Sequence, residues 1–325
     1  MGNLAFTKDK NQIGTPWHIV EFLSDLLETQ NKRVLDPTAG SGNMLEFAGV
    51  KIGIEYDAKA FEMLQERYQE GHFIHASVFD STEWMKQQNP DVVLMNPPFN
   101  MEKTKGLEFV RFVADTINHG RLAALVPTNC GATGKKVIDK VKEELLSNHT
   151  LEAVFSFNKE LFYPAASASA ICMIFKLGEP HQGKTWFADF QDDGLEKSRH
   201  EGRIDSNGLW EGKKTEWLTM FQEKPSWQIS NSENRIPCEL KEITAKDNWT
   251  PSDAISRDPE SLRPTLDDFR QTVREYMDYR IGQIGLNQFL KENPHLLPPK
   301  EERIKNLQKQ IALLQKEIEE LQKEN

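Results

Sequence analysis

The stretch Asp91-Val92-Val93-Leu94-Met95-Asn96-Pro97-Pro98-Phe99 joins a short apolar run to a polar, proline-rich end. The apolar part has the length and character of a buried parallel strand. Asn96 to Phe99 would then lie at the carboxyl end of that strand, where open α/β sheets bind their ligands. The prolines lack N–H donors, so the segment offers carbonyl oxygens and one side-chain amide beside an aromatic ring. This pattern predicts a pocket for a flat group that bears an amino function; the alternative is a polar turn that ends a strand.

A glycine-rich turn lies upstream of this stretch. Arg33 to Asp36 resembles a short buried strand, and Pro37-Thr38-Ala39-Gly40-Ser41-Gly42 follows it before a helix-like segment. Glycines in such a turn let the backbone approach a ligand closely, and Asp36 can accept hydrogen bonds from a cationic amino group. The next strand pattern ends at Glu55, 19 positions after Asp36, a separation that suits contact with ribose hydroxyls. The spacing differs from the phosphate-binding pattern GxxxxGK[ST], so we expect a nucleoside without a phosphate chain.

These blocks resemble those of the S-adenosylmethionine-dependent amino-methyltransferases, and most closely the adenine-N6 DNA methyltransferases that serve as modification subunits of type I restriction-modification systems. The resemblance covers about residues 12–180 and includes a leading Thr-Pro block at Thr15-Pro16. It implies S-adenosylmethionine as the cofactor and DNA as a partner. It implies the catalytic residues Asn96, Pro97, Pro98 and Phe99. It further implies the cofactor-binding residues Thr15, Pro16, Asp36, Pro37, Ala39, Gly40, Gly42, Glu55, Tyr56, Ser77 and Val78.

The chain departs from the family after its third strand. The family commonly has an Asp there that bonds the adenine amino group of the cofactor, whereas this chain has Ser77 at the matching position and Asp80 three residues later. We favour Ser77 or the Val78 backbone at the adenine and interpret Asp80 as a helix N-cap, with Asp80 as the alternative adenine contact. Type I modification subunits also carry a helical domain ahead of the Thr-Pro block, and here 14 residues precede Thr15. We therefore expect DNA clamping to come from elsewhere.

Alternating strand and helix patterns predict an α/β fold with a doubly wound, Rossmann-like methyltransferase sheet. The connection before the last strand is too short for a helical crossover, so that strand should be antiparallel and lie near the edge. Composition changes near residue 180, which predicts a catalytic domain at 1–180 and an accessory region at 181–300 that contacts DNA or a partner. The predicted strands are 33–36, 51–55, 72–75, 91–95, 121–126, 151–156 and 170–176. Tryptophans at 186, 210, 217, 227 and 249 are expected to form a small core in the accessory region rather than a base-stacking surface.

The end of the chain has a heptad pattern. Ile304, Leu307, Ile311, Leu314, Ile318 and Leu321 are spaced alternately by three and four residues. Such spacing predicts a coiled-coil helix at 301–325. Its partner could be a specificity subunit, a second copy of the chain or another helix of this chain, and an intermolecular partner is favoured because prolines punctuate the sequence just before it.

The chain has 325 residues, 40 basic and 50 acidic, and a formal net charge of −10. This balance argues against sequence-independent coating of DNA, which depends on many phosphate contacts. Two clusters remain candidates for phosphate contact or for ordinary solvated surface. The first cluster is Lys135, Lys136, Lys140 and Lys142; the second is Lys197, Arg199, His200, Arg203, Lys213 and Lys214.

Neither a signal-peptide pattern nor a membrane-spanning apolar run is present, so we expect a cytoplasmic protein. The three cysteines lack metal-ligand spacing and are interpreted as reduced and structural, and no metal is expected.

We therefore expect a site-specific adenine-N6 DNA methyltransferase that acts on a flipped base, within a restriction-modification or phage or host modification system. Phe162 or Tyr163 could form the second wall of the base pocket, or simply pack at the edge. The alternatives are a guanine-N2 RNA or protein glutamine methyltransferase, since the same motif suits any planar amide-like nitrogen, and a non-catalytic subunit that assembles through its coiled coil.

Overall fold

The computed structural model describes residues 14–99, 105–166, 168–198, 201–227, 235–256 and 266–293, together with Ile304 and Gln308. The chain divides into two compact units, one that ends at Ser261 and one that begins at Leu262. None of the described helices combines the length and apolar character needed to cross a membrane.

The strands of the first unit follow the predicted positions closely. They are β1 (Arg33–Asp36), β2 (Val50–Glu55), β3 (His72–His75), β4 (Val92–Met95), β5 (Arg121–Pro127), β6 (Thr150–Phe157), β7 (Ala170–Lys176), β8 (Lys184–Phe190), β9 (Glu196–Ser198), β10 (Gly202–Ile204) and β11 (Cys238–Glu242). The helices are α1 (Trp17–Leu27), α2 (Ala58–Arg67), α3 (Thr82–Gln88), α4 (Lys105–Ile117), α5 (Lys136–Asn148), α6 (Trp210–Glu223) and α7 (Pro251–Ala254).

In the described part of the chain, nine strands form a sheet in the order β11-β8-β6-β7-β5-β4-β1-β2-β3. The strands β1 to β5 pair in parallel. The predicted antiparallel strand is confirmed, since β7 runs antiparallel to both β5 and β6. Strand order reverses between β1 and β4, because β1 pairs with β2 on one side and with β4 on the other. Ligands of open α/β sheets bind at such a reversal.

Both faces of the sheet are buried, as a doubly wound fold requires. Side chains alternate between the two apolar layers, so that Val34 joins one layer and Leu35 the other. Helices α1 and α6 cover the first layer, and α3, α4 and α5 cover the second.

The residues beyond 180 extend this fold. Strand β8 pairs in parallel with β6, and β11 pairs with β8, so the segment adds two strands to the same sheet. Trp186 and Trp217 are fully buried in the layer that α1 covers, and Trp249 is fully buried in the other. These tryptophans therefore belong to the main core rather than to a separate small one. The structure thus differs from the boundary expected at residue 180, because strand pairing continues across it.

The second unit contains α8 (Leu266–Ile284) and α9 (Leu286–Glu292). Phe289 of α9 is buried, and Arg280 pairs with Glu292 at 3.2 Å. Except for Ile304 and Gln308, the predicted coiled coil at 301–325 lies outside the described residues, and so does the boundary expected at residue 300.

Candidate active site

A cavity of about 430 Å³ lies beside the carboxyl ends of β1, β2 and β4. A volume of this size suits a nucleoside-sized ligand. Thirteen of the fifteen residues predicted from the sequence line it, and Pro16 and Gly42 do not. The lining residues from that prediction are Thr15, Asp36, Pro37, Ala39, Gly40, Glu55, Tyr56, Ser77, Val78, Asn96, Pro97, Pro98 and Phe99.

The carboxylate of Glu55 holds the glycine turn in place. Its Oε2 accepts a hydrogen bond from the Gly40 N–H at 2.6 Å, and its Oε1 accepts one from the Asp57 N–H at 2.7 Å. Gly40 has a φ of +52°, a region that glycine enters without steric cost. Each carboxylate oxygen has a second lone pair, so Glu55 can accept from ribose hydroxyls while it keeps the turn closed.

Gly42 has a structural part in the same turn. Its N–H donates to the Ala39 carbonyl at 2.7 Å, and its φ is +87°. A Cβ at this position would lie 2.6 Å from the Tyr68 ring. Gly42 therefore closes the turn against α2 and does not face the cavity.

Asp36 at the tip of β1 is a buried carboxylate in the cavity wall. Its pKa is raised to about 7, mainly by burial and also by the charge of Glu55, although hydrogen bonds from Thr38 act in the opposite direction. A desolvated carboxylate of this kind is stabilised by a cationic ligand group. Asp36 is therefore suited to bind an ammonium group.

Asn96 lies immediately after β4 and lines the cavity. Its Nδ2 donates a hydrogen bond to Thr15 Oγ1 at 2.9 Å. Close by, the rings of Phe99 and Phe162 meet edge to face, with centroids 5.2 Å apart and planes at 88°. Phe162 lines the cavity, whereas Tyr163 stacks under the Lys197 ammonium. Of the two residues considered for the second wall, Phe162 is thus the one that faces the site.

The two predicted cofactor-binding residues that follow strand β3 are uncharged. Ser77 and Val78 line the cavity, while Asp80 is exposed in the 3₁₀ turn Val78–Asp80. The N-cap of α3 is Ser81, so the N-cap prediction for Asp80 is wrong. The Ser81 hydroxyl donates to the Ser77 carbonyl at 2.8 Å, which fixes the backbone beside the cavity.

Sequence reasoning missed other lining residues, among them Asn43, Phe79 and Phe109. Asn43 follows the glycine turn directly, and its Nδ2 lies 3.4 Å from the Thr15 carbonyl, to which it donates. Phe79 is half exposed, and its ring packs against the ring of Phe109 with a distance of 5.3 Å between the ring centroids. The sequence offered one signal for Phe79, its position next to Val78. That signal is ambiguous, because an aromatic residue at the end of a strand can face either the core or a ligand.

Several residues of the two basic clusters are paired inside the protein. Lys142 is fully buried and donates to the carbonyls of Gly131 and Asp247, and burial lowers its pKa to about 8. Arg203 is buried against Asp193 at 2.5 Å. Assigning Lys142 or Arg203 to phosphate contact is therefore wrong.

Lys214 is likewise taken up within the fold, since it pairs with Glu21 and Asp25 of α1 and with Glu211 at 3.0–3.1 Å. Lys135, Lys136 and Lys140 are exposed, and Arg199 and His200 lie outside the described residues.

Cys130, Cys172 and Cys238 are buried and form no disulfide. Burial raises the pKa of each thiol, to about 11 for Cys130 and Cys238. These cysteines are unreactive core residues. Among the described residues, no cluster of His, Cys, Asp and Glu has the geometry of a metal site.

The sequence of the chain matches the N-6 DNA methylase family over residues 61–248, which is more than half its length and includes Asn96 to Phe99. The chain belongs to this family. The predicted family, the adenine-N6 DNA methyltransferases, is thereby confirmed, and so is S-adenosylmethionine as the methyl donor.

This N-6 DNA methylase is similar to a curated relative, the type II restriction enzyme and methyltransferase RM.BcgI of Heyndrickxia coagulans. The two are 27% identical over 312 residues, which cover 84% of this chain and 47% of the relative. The chain thus spans about half the length of the curated relative that it matches.

Solved structures confirm the fold of this N-6 DNA methylase. The methyltransferase subunit of a type I restriction-modification system from Streptococcus thermophilus superposes with a TM-score of 0.59 at 15% identity, covering 78% of this chain and 61% of that chain. The M protein of the type I restriction enzyme EcoKI superposes with a TM-score of 0.54 at 14% identity, covering 90% and 75%.

The cavity of this N-6 DNA methylase fits the cofactor of its family. A nucleoside with an attached amino acid needs an acceptor pair for the ribose, a carboxylate for the amino group and an apolar slot for the purine. Glu55, Asp36 and the wall formed by Val78 and Phe79 supply these three features in one cavity.

Proposed function

We propose that this chain transfers a methyl group from S-adenosylmethionine to N6 of adenine in DNA, at a defined site, as part of a restriction-modification or similar modification system of the cytoplasm. Family membership supports this proposal. The structural observation that carries it is the placement of Asn96, Pro97 and Phe99 on the wall of the cavity that also holds Asp36 and Glu55.

Asn96 and Pro97 act on the nucleophile. An exocyclic amino nitrogen on a base is a poor nucleophile, because its lone pair is delocalised into the ring. The Asn96 side-chain oxygen and the Pro97 carbonyl can accept its two protons and so localise the lone pair on nitrogen. Pro97 and Pro98 have no N–H groups, so no backbone donor at these positions competes with the amino group.

Phe99 and Phe162 hold the base. Enzymes that modify a base extrude it from the duplex and stack it against aromatic side chains. The rings of Phe99 and Phe162 meet edge to face and both line the cavity, so they can form two adjoining walls around a flipped adenine.

Asp36 and Glu55 hold the donor. When bound, S-adenosylmethionine supplies an electrophilic methyl group on a positively charged sulfur. Asp36 would accept from its ammonium group and Glu55 from its ribose hydroxyls. Catalysis then depends mainly on the position of the amino nitrogen relative to the methyl group.

Site selection, we propose, depends on a partner specificity subunit that joins the chain through residues 301–325, with self-association as the alternative. Two observations support a partner. The net charge is −10, and Lys142, Arg203 and Lys214 are engaged inside the fold rather than available to phosphates. Phosphate contacts supply most of the non-specific affinity for DNA, so additional contacts must come from elsewhere.

Transfer of labelled methyl from S-adenosylmethionine tests the proposal. The full chain, alone and co-purified with its partners, is incubated with unmethylated DNA, RNA or protein, and modified nucleosides are identified by mass spectrometry. We expect N6-methyladenine from DNA and none from Asn96→Ala, while that variant binds S-adenosylhomocysteine like wild type in calorimetry. Product from RNA or protein alone, or equal loss of binding and transfer in Asn96→Ala, would contradict the assignment.

A further inference from the structure

We propose that Lys135, Lys136 and Lys159 bind the phosphates of duplex DNA at the sheet edge where the flipped base enters the cavity. The proposal rests on the proposed function, because it concerns the docking of the same substrate. It goes beyond the two basic clusters of the sequence, since it keeps only two lysines of the first cluster and adds Lys159, which belongs to neither.

Lys135 and Lys136 lie at the edge of the sheet that carries the catalytic motif. Strand β5 pairs in parallel with β4, so its carboxyl end at Pro127 lies at that edge, and the 3₁₀ turn Thr128–Gly131 follows it. Strand β6 runs antiparallel to β7, as β5 does, and so begins at the opposite edge. Helix α5 ends just before β6 begins, and its first turn, with Lys135 as the N-cap, therefore lies at the edge of the site.

The loop between β5 and α5 is held firmly. The Gly131 carbonyl accepts hydrogen bonds from the buried Lys142 ammonium at 2.7 Å and from the Trp249 N–H at 2.7 Å. The Thr133 N–H donates to Asn248 Oδ1 at 2.9 Å. A loop that is already ordered loses little conformational freedom on binding, so side chains that it presents form a prepared site. Lys142 thus supports the loop that carries the two surface lysines.

Lys159 reaches the same edge from the other face of the sheet. It follows the carboxyl end of β6 and precedes Phe162, whose ring lines the cavity, by three residues. Asn158 fixes this turn, because its Nδ2 donates to the Gln191 carbonyl at 3.0 Å and its Oδ1 accepts from the Glu160 N–H at 3.0 Å. Phe162 belongs to the apolar layer that α1 covers, whereas α5 covers the other layer. The three lysines therefore approach the site from opposite faces of the sheet.

The charges of these three lysines are free to meet an anion. Each side chain is exposed, and none of them forms an ion pair with another described residue. Two acidic side chains at the same edge are already paired with cations, Glu160 with Lys197 and Asp192 with Lys213. A lysine that meets a phosphate releases the counterions of the DNA, which drives binding and makes it depend on salt.

Neutralisation of the three lysines tests the proposal. The triple variant Lys135→Gln, Lys136→Gln and Lys159→Gln removes three charges while it keeps long, polar side chains. The full chain, alone and co-purified with its partners, is titrated onto a labelled unmethylated DNA duplex between about 50 and about 200 mM salt, with fluorescence anisotropy as the readout. Steady-state methyl transfer, the Kd of S-adenosylhomocysteine and the melting temperature are measured in parallel.

A matched control removes the same charge elsewhere. Lys86, Lys176 and Lys184 are exposed lysines towards the opposite edge, in the helix before β4, at the end of the antiparallel strand β7 and at the start of β8. Their replacement by Gln lowers the net charge of the chain by the same three units. Any effect of overall charge on DNA binding will therefore be equal in the control and in the triple variant.

We expect the triple variant to reduce the slope of log K against log salt by about 0.9 for each phosphate contact that is lost. The same relation predicts a loss of DNA affinity of up to about eightfold for each lysine at about 0.1 M salt. The loss should be equal for duplexes of different sequence, because phosphate contacts carry no sequence information. In methyl transfer, kcat/KM should fall mainly through a higher KM for DNA, and the affinity for S-adenosylhomocysteine should stay at the wild-type value.

The outcomes distinguish this proposal from the proposed function. An unchanged salt slope in the triple variant, or an equal loss in the control, would overturn the phosphate contacts. Dependence on the lysines with an RNA duplex but not with DNA would overturn DNA as the partner. Wild-type protein that binds DNA through these lysines and yet forms no N6-methyladenine would overturn the proposed function while it supports the docking surface. Absence of DNA binding by wild type, alone and with its partners, would overturn both.

Discussion

Replacing Asp36 with Asn should make the cofactor-free protein more stable at pH 8 and weaken its binding of cofactor. Asp36 is 1% exposed, and its Oδ1 accepts hydrogen bonds from the Thr38 N–H at 2.9 Å and the Thr38 hydroxyl at 3.3 Å. The pKa of the carboxyl is raised from 3.8 to about 7, mainly by burial and also by the charge of Glu55. The ionised form is therefore disfavoured in the empty site.

The sign and size of the effect follow from proton linkage. Between pH 3.8 and pH 7 or so the folded protein binds more protons at Asp36 than the unfolded chain does. The contribution to stability is therefore fully present below pH 3.8 and is lost as the pH rises through the folded pKa of about 7. A difference of about 3 pKa units, at about 1.4 kcal/mol each, sets a penalty of about 4 kcal/mol at alkaline pH. Asn carries no charge and keeps an acceptor for Thr38, so the variant should recover much of that penalty at pH 8 and less than half of it at pH 5, which is only about one pH unit above the unfolded pKa of 3.8.

Binding should change in the opposite direction. A bound ammonium group favours the ionised Asp36, so wild-type affinity should fall by up to about tenfold for each pH unit below the pKa of the empty site. Asp36→Asn should bind more weakly and lose this pH dependence. Urea denaturation at pH 5 and pH 8, and calorimetry with S-adenosylhomocysteine between pH 5.5 and pH 8, measure the two effects. A variant destabilised equally at both pH values, or a wild-type affinity that does not change with pH, would refute the reasoning.

Further predictions concern other parts of the chain. Glu55→Gln leaves one acceptor oxygen for two backbone N–H groups, so cofactor affinity should fall by at least about tenfold and exchange of the Gly40 amide should accelerate, as calorimetry and hydrogen exchange would show. Lys214→Ala removes the cation shared by three carboxylates and should lower the free energy of unfolding, measured in urea, by about 1 to 3 kcal/mol. Lys213→Ala breaks an exposed ion pair and should lower it by less than about 1 kcal/mol. Equal losses in the two variants would contradict the burial of the Lys214 ion pairs. Deletion of 301–325 should lower the mass of the assembly in light scattering or abolish capture of a specificity subunit while the melting temperature of the remaining chain is kept; unchanged assembly would remove the coiled coil from that role.

The central strands could be predicted almost to the residue. Those at 33–36, 72–75 and 170–176 match β1, β3 and β7, because each has apolar residues at its centre and ends near turn residues. The cavity residues at the ends of β1 to β4 follow from the same pattern, since parallel strands bring their carboxyl ends to one edge of the sheet.

Contacts between distant segments could not be predicted in this way. Strand β8 pairs with β6. The change of composition near residue 180 marks the turn between two strands, but it does not show which strand of the sheet the next strand pairs with. The buried lysine Lys142 is likewise invisible to a charge pattern, because its two carbonyl partners come from a turn and from a loop about 105 residues away. The hydrogen bond from Asn96 to Thr15 belongs to the same class.

The segment beyond residue 180 has a mechanical consequence for the site. Helix α6 contacts α1 through Lys214, which pairs with Glu21 and Asp25, and through Trp217, whose ring lies 5.3 Å from that of Phe22. Helix α1 in turn begins two residues after Thr15, so a shift of α1 along the sheet would displace the hydroxyl that contacts Asn96. A displacement of about 1 Å at a catalytic group can cost about a hundredfold in rate. We therefore expect substitutions that loosen α6 to lower kcat before they weaken cofactor binding, because Asp36 and Glu55 lie at the ends of β1 and β2 rather than on α1.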